Sequence, residues 1–321
     1  MPSIRLLLCS FCLVWTGAAF SHASFENFKT MMGQRGVLKW SHLSQEELWR
    51  IPVVEKNAKK AFENYSNGLD YLKHPALHTI PKTIHVIWIG PRPFPEQSIA
   101  NLLSWKKYHP TWDLFFWTDS RERPLPIEGM KRRLLSDFDL GPFTSLFRKS
   151  TNWAEKSDLL RYMIIYKEGG LYTDHDVTCI RPFDSLVEHY DFIAGYAPLH
   201  NYCFSLNNPF SPNNGIIISS PCHPIMQKTI SRLCSKWKNV TKSENKSVGR
   251  LVIARTFDPF TYCASHYINI EGYRNILLPA SYLHSAHSFT KEIFDELIEH
   301  NCVYAIHHFD SAWLPNKPPP Q

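Results

Sequence analysis

The sequence predicts an α/β fold, a parallel sheet with helices on its faces, and three observations carry that expectation. A short apolar run, TIHVIWIG at 83–90, ends in a glycine followed by two nearby prolines, as a buried strand feeding a loop does. A helical stretch over 95–108 and a second apolar run, DLFFWT at 113–118, complete a β-α-β start. A helix over 152–168, with Leu159, Leu160, Met163, Ile164 and Tyr166 at helical spacing, stops at Gly169-Gly170 and gives way to the short strand Leu171-Tyr172-Thr173.

Taken in order, residues 1–23 read as a secretory signal. Arg5 precedes an apolar stretch from Leu6 to about Phe20, and Ser21-His22-Ala23 suits a cleavage site. That stretch is shorter than the roughly 18 to 20 residues a membrane-spanning helix needs, so an uncleaved anchor is the lesser alternative. Residues 24–78 form a helical stem or cap, with a helix start at Ser44-Gln45-Glu46-Glu47 and breaks at Pro52, Gly68 and Pro75. The catalytic domain follows over 79–315. Beyond the central helix it contains a strand over 214–219, helices over 223–237 and 289–300, and a last strand over 303–307. Residues 316–321 are a loose proline-rich tail.

Composition bounds the function. With 44% hydrophobic and 14% aromatic residues the chain is a packed globular protein, and its net charge of +6 is spread too thinly for a nucleic-acid partner. Anionic small molecules or a membrane surface fit better. The densest basic run, Lys131-Arg132-Arg133, reads as a solvated face. Export exposes Cys179, Cys203, Cys222, Cys234, Cys263 and Cys302 to an oxidising compartment, in pairings the sequence leaves open. None forms a CxxC pair, so no cysteine zinc site is expected. Sequons occur at Asn64, Asn239 and Asn245.

The chemistry concentrates at Asp174-His175-Asp176, at the end of the strand after the paired glycines. Two carboxylates at i and i+2 in a tight loop face one hard cation, Mn²⁺ or Mg²⁺, and leave positions open for phosphate oxygens. In open α/β sheets, ligands bind beyond the carboxyl ends of the strands. A solvated acidic triplet is the bland alternative, and its setting after a buried strand argues against it.

The segment AEKSDLLRYMIIYKEGGLYTDHDVTCIRPFD resembles the core of the DXD-containing sugar transferases of glycosyltransferase family 32, among them yeast outer-chain and inositol-phosphoceramide mannosyltransferases. The resemblance extends to IPKTIHVIWIG, NNGIIISSPCHP and AIHHFDSAW, covering about residues 80–314, and more distantly to the large clostridial glucosylating toxins. It implies a GT-A (Rossmann-like) fold and a retaining, Mn²⁺- or Mg²⁺-dependent transfer. It also implies that a hexose passes from a GDP- or UDP-linked donor to a hydroxyl of a glycan, glycolipid or protein acceptor; the export signal places this expected transfer in the endoplasmic reticulum or Golgi lumen or outside the cell.

Carried over by residue, the resemblance gives Trp88 the nucleotide base, where a core tryptophan is the other reading. It gives Asp158 and Arg161 the donor sugar, where an intrahelical ion pair is the other. Asp174 becomes the donor-facing carboxylate and Asp176 the direct metal ligand, while His175 points away. His308 joins the metal shell, with His307 as its rival, and Ser311, Trp313 and Asn214 contact the diphosphate region. The family's glycine-proline element before the last strand has no clear counterpart here, the nearest text being Val248-Gly249-Arg250 and Phe257-Asp258-Pro259. Rival classes are a metal-dependent phosphoester hydrolase, which would leave the SDLLRY block unexplained, and a non-catalytic sugar-nucleotide-binding module.

Overall fold

A computed structural model of the chain describes residues 24–33, 49–198, 210–241, 248–284 and 286–310. The expected signal at 1–23, the expected helix start at Ser44, Cys203, Ser311, Trp313 and the tail lie outside them. The α/β fold expected from the sequence is the fold observed. Seven strands form one sheet in the order β3-β2-β1-β4-β7-β6-β8: β1 (Thr83–Ile87), β2 (Asp113–Thr118), β3 (Lys131–Leu134), β4 (Gly170–Thr173), β6 (Phe192–Tyr196), β7 (Pro212–Ser219) and β8 (Asn275–Leu278). A separate antiparallel ribbon joins β5 (Val177–Cys179) to β9 (Ala305–His307).

One expectation needs correction. The sheet is not wholly parallel: β7 runs antiparallel to both β4 and β6, while the other neighbouring pairs are parallel. Its run, NNGIIIS, is buried on both faces and so carries no alternation from which direction could be read. The basic run Lys131-Arg132-Arg133 is exposed as expected, yet its backbone forms the edge strand β3, where charged side chains discourage pairing with another chain.

The helices cover both faces. Helix α1 (Phe25–Met31) is capped by Ser24, whose Oγ accepts from the Asn27 amide, and drives Phe28 into the core against Phe62, Tyr65 and Phe210. Pro52 starts α2 (Pro52–Leu69) rather than breaking it, because the first helical turn needs no amide donor from that residue. Gly68 lies in that helix against Ile276 of β8, where a Cβ would come within 2.9 Å. Asn64 is buried on α2 and accepts from Asn269, so its sequon is shielded. Helix α3 (Ile99–Tyr108) leads into β2 and packs on β5.

Helix α4 (Trp153–Glu168) is capped by Asn152, whose Oδ1 accepts from the amides of Ala154 and Glu155. Every residue from Asp158 to Ile165 is buried, which marks a helix enclosed between the sheet and α5 (Pro224–Thr241). Burying its Leu and Ile side chains stabilises the fold by roughly 1.5–3 kcal/mol each. Two further helices, α6 (Asp258–His266) and α7 (Lys291–Glu299), complete the C-terminal half.

The stop after α4 is a steric requirement. Gly169 has φ +67° and Gly170 φ +89°, and a Cβ at either would collide with Pro221 or with Thr83. His85 of β1 ties this turn to the sheet. Its Nδ1 accepts from the Trp117 indole at 3.0 Å, which leaves Nε2–H to donate to the Gly169 carbonyl at 3.0 Å. The ring is thereby held neutral, and burial pushes its pKa down to about 3.

The five described cysteines outside the signal, Cys179, Cys222, Cys234, Cys263 and Cys302, are free thiols. No described helix is long and apolar enough to cross a membrane.

Candidate active site

Strand β1 pairs with β2 on one side and with β4 on the other, so the chain reverses its direction of travel across the sheet at this point. A crevice opens beyond the carboxyl ends of β1 and β4, where an open α/β sheet binds ligands. Trp88 and Ile89 continue from β1, and Asp174, His175 and Asp176 continue from β4. They line one cavity of about 440 Å³ together with Asp158, Arg161, Trp153, Asn214, Phe257 and His307, within the range of small-molecule sites.

The triplet is fixed through its backbone and its flanks. The Asp174 amide donates to the Gly215 carbonyl at 2.9 Å, and the Tyr172 hydroxyl donates to Asp174 Oδ1 at 2.6 Å. The His175 ring bonds through Nδ1 to Ser98 Oγ at 2.8 Å, and its carbonyl accepts from Asn101. His175 thus sets the loop, its ring meeting that of Trp88 edge-on at 4.9 Å.

Asp176 is buried, and its Oδ2 accepts from the Asp310 amide at 2.7 Å. Burial alone would raise its pKa; His307 beside it and the bond from Asp310 more than offset this and hold the carboxyl well below the usual range.

The third member arrives from the far end of the chain. In the β5–β9 ribbon His307 lies opposite Val177, next to Asp176. Its Nε2 stands 3.3 Å from Asp176 Oδ1 and 3.8 Å from Asp174 Oδ2. Burial opposes protonation of this ring, but Asp176 and Asp174 prevail and raise its pKa. Strand alternation turns the neighbour the other way: His308 bonds through Nε2 to Thr178 Oγ1 at 2.8 Å. The structure thus brings His307, the rival reading, beside the two aspartates, and turns the expected His308 toward Thr178.

The ligand atoms of Asp174, Asp176 and His307 all lie within 4.8 Å of one another. Two carboxylate oxygens and an imidazole nitrogen fit a divalent cation, and the nitrogen suits Mn²⁺ better than the strictly oxygen-seeking Mg²⁺. Phe309 stacks on His307 at 4.0 Å with an unusual positive φ of 54°, a conformation that clusters at ligand sites.

Arg161 ties the metal corner to α4. It pairs with Asp158 Oδ1 and Asp174 Oδ1, each at 3.1 Å, donates to the Asn214 carbonyl at 2.8 Å, and lies 4.4 Å over the Tyr172 ring. Burial works against its charge, yet Asp174 and Asp158 keep it protonated. Asp158 is raised by burial against the pull of Arg161, Thr256 and Asn214. Asn214 donates to Asp158 Oδ1 at 3.0 Å and to the Tyr162 hydroxyl at 2.8 Å. The pair expected from its spacing is an intrahelical ion pair and also part of the cavity wall.

Of the expected residues, the structure gathers Trp88, Asp158, Arg161, Asp174, Asp176 and Asn214 in one cavity, while Ser311 and Trp313 lie outside the described residues. Trp88 is half-buried and donates to the Arg92 carbonyl at 2.9 Å. Sequence reasoning passed over Tyr172, Thr256 and the backbone of Asp310. Only Tyr172 carried a signal, since it lies two residues before Asp174 on a strand and so on the same face.

Residues 95–193 match the family described as "Glycosyltransferase sugar-binding region containing DXD motif". The chain is 28% identical over 229 residues to Subversion of eukaryotic traffic protein A of Legionella pneumophila, a match covering 67% of this chain and 30% of that protein. It is 30% identical over 119 residues to inositol phosphoceramide mannosyltransferase 3 of Schizosaccharomyces pombe, covering 37% of this chain and 30% of that one. Both matches span under a third of the relative's length. Among solved structures the PaToxG glycosyltransferase superposes with a TM-score of 0.48 at 20% identity, over 70% of this chain and 80% of its own.

Proposed function

We propose, from the premise that residues 95–193 of this chain are a glycosyltransferase region containing a DXD motif, that the protein moves a hexose from a GDP- or UDP-linked donor to an acceptor hydroxyl on a glycan, lipid or protein. The observation that carries the reading is the meeting of Asp174, Asp176 and His307 in the same cavity as Trp88, Asp158 and Arg161. A cation-binding corner, a fixed guanidinium and an aromatic platform are what a diphosphate, a sugar and a base each require.

In this reading Asp174, Asp176 and His307 would hold a divalent cation such as Mn²⁺, with Asp174 the carboxylate nearer the donor. Bound there, the ion offsets diphosphate charge as the leaving group departs. Arg161, already desolvated and aimed by two carboxylates, stabilises the same developing charge without reorganising. Asp158 and Asn214 face the donor sugar, and Trp88 stacks on the base. The acceptor oxygen bonds to the anomeric carbon on the face from which the diphosphate leaves. Its proton passes to the departing phosphate oxygen, and the anomeric configuration is retained. Val252, Ile253 and Phe257 add an apolar part to the cavity lining.

The relatives named as inositol phosphoceramide mannosyltransferases favour mannose as the transferred hexose and a lipid as the acceptor. Residues 1–23 as a cleaved export signal, and 79–315 as the catalytic domain, complete the proposal. The test incubates the protein with Mn²⁺ and a panel of GDP- and UDP-sugars and follows nucleotide release. Metal-dependent release from one donor supports the reading. Phosphoester cleavage without donor preference would make the protein a hydrolase, and binding without release a sugar-nucleotide-binding module.

A further inference from the structure

Between α5 and α6 the chain forms a π-helical turn, Ile253–Phe257, whose Ile253 and Phe257 line the cavity together with Val252. Wide turns of this kind are rare and recur at functional sites. Thr256 of this turn is fully buried, and its hydroxyl bonds to Asp158 Oδ2 and sits 2.8 Å from the Val252 carbonyl. The Tyr162 hydroxyl donates to the Thr256 carbonyl at 3.1 Å, fixing the turn from the α4 side.

We infer that Thr256 is a positioning residue for Asp158, and that it aims this carboxylate at the donor sugar. The inference rests on the proposed role of Asp158 and deepens it. A carboxylate offers about four acceptor positions. On Asp158 Oδ1 two are taken, by Asn214 and by Arg161, and on Oδ2 one is taken, by Thr256. Among the described residues nothing takes the remaining position, on Oδ2, which is open to a ligand hydroxyl. Asn214 and Arg161 hold Oδ1 in place but leave the carboxylate free to rock about that atom. Thr256 removes this freedom, because it holds the second oxygen from a different element, 98 residues away in sequence.

The same turn presents Ile253 and Phe257 to the cavity, so the apolar wall and the Asp158 orientation are set by one backbone segment.

Thr256→Val keeps the β-branched shape and removes the hydroxyl, and Thr256→Ser keeps the hydroxyl. The full-length protein with Mn²⁺ is tested by calorimetric binding of UDP and GDP, and by kcat/KM for whichever sugar nucleotide the wild type turns over. The Val variant is expected to lose about 10- to 100-fold in kcat/KM, the effect of leaving a buried carboxylate oxygen short of a partner. Affinity for the sugar-free nucleoside diphosphate should stay within about twofold, and Thr256→Ser should recover most of the loss. Equal losses for the sugar nucleotide and the bare diphosphate, or no loss at all, would overturn the inference. Asp158→Asn separates this from the underlying reading: wild-type turnover in that variant removes Asp158 from the donor site whatever Thr256 does.

Discussion

Gly215 is a position where the site leaves no room for a side chain. It lies on β7 beside the triplet, its carbonyl accepting from the Asp174 amide. A Cβ at this position would stand 2.7 Å from His307 Cε1, 2.9 Å from Asn213 Oδ1 and 3.0 Å from Asp174 Oδ2. Carbon atoms in ordinary contact sit roughly 3.5 Å apart or more, so in Gly215→Ala the His307 ring must retreat by roughly 0.8 Å. It has little freedom to do so, being buried between Asp176 and the stacked ring of Phe309.

Metal ligands tolerate displacements of only about 0.2 Å, and misplacing a reacting group by about 1 Å costs on the order of 100-fold in rate. Overpacking should cost about 1–3 kcal/mol of stability, which a folded enzyme of this size withstands. Gly215→Ala is therefore expected to remain folded by circular dichroism, to bind Mn²⁺ more weakly, and to lose about 100-fold or more in kcat/KM. An Ala variant with wild-type Mn²⁺ affinity and turnover would refute the placement of His307 beside the aspartates.

His307→Ala should raise the Mn²⁺ concentration for half-maximal activity by on the order of 10- to 100-fold, whereas His308→Ala should change it by less than about threefold; the reverse order would restore His308 as the ligand. Trp88→Ala should weaken donor binding by about 1–3 kcal/mol, the usual worth of a base on an aromatic ring, seen as a raised donor KM with kcat little changed. An unaltered KM would return Trp88 to a purely structural role.

His85 and His223 are buried and neutral, each with its pKa pushed down to about 3 by burial. Unfolding frees both to titrate near 6.5, so the unfolded chain binds more protons below that pH. Stability from this pair is complete above about pH 6.5 and falls toward pH 3, by about 1.4 kcal/mol per unit for each ring. Urea unfolding at pH 7.5, 6.5, 5.5 and 4.5 should show that decline, and a flat profile would contradict it.

The elements read best from sequence were those with a local cause. DLFFWT is a strand to the residue, and α4 begins at Asn152's cap and ends at Gly169 because capping and positive φ are local demands. The direction of β7 was not legible, since a strand buried on both faces looks alike in either orientation. Strands β5, β6 and β8 were passed over because three to five residues carry little periodicity.

At the site, the spacing in one loop singles out Asp174 and Asp176, whereas Asp158 and Arg161 are pointed to by the resemblance, their spacing alone reading as an intrahelical ion pair. The choice between His307 and His308 depends on the register of a ribbon that joins residues 130 apart, which no local pattern encodes. Thr256 entered for the same reason, through a turn contributed by a distant segment.

The central claim is that Asp174, Asp176 and His307 hold a divalent cation against a nucleoside diphosphate. The most direct measurement is anomalous scattering from crystals grown with Mn²⁺ and UDP or GDP. One strong manganese peak is expected in coordination contact with Asp174, Asp176 and His307 and with a phosphate oxygen of the nucleotide. A nucleotide bound in the cavity at saturating Mn²⁺ with no manganese at this corner, or with manganese held elsewhere, would contradict it.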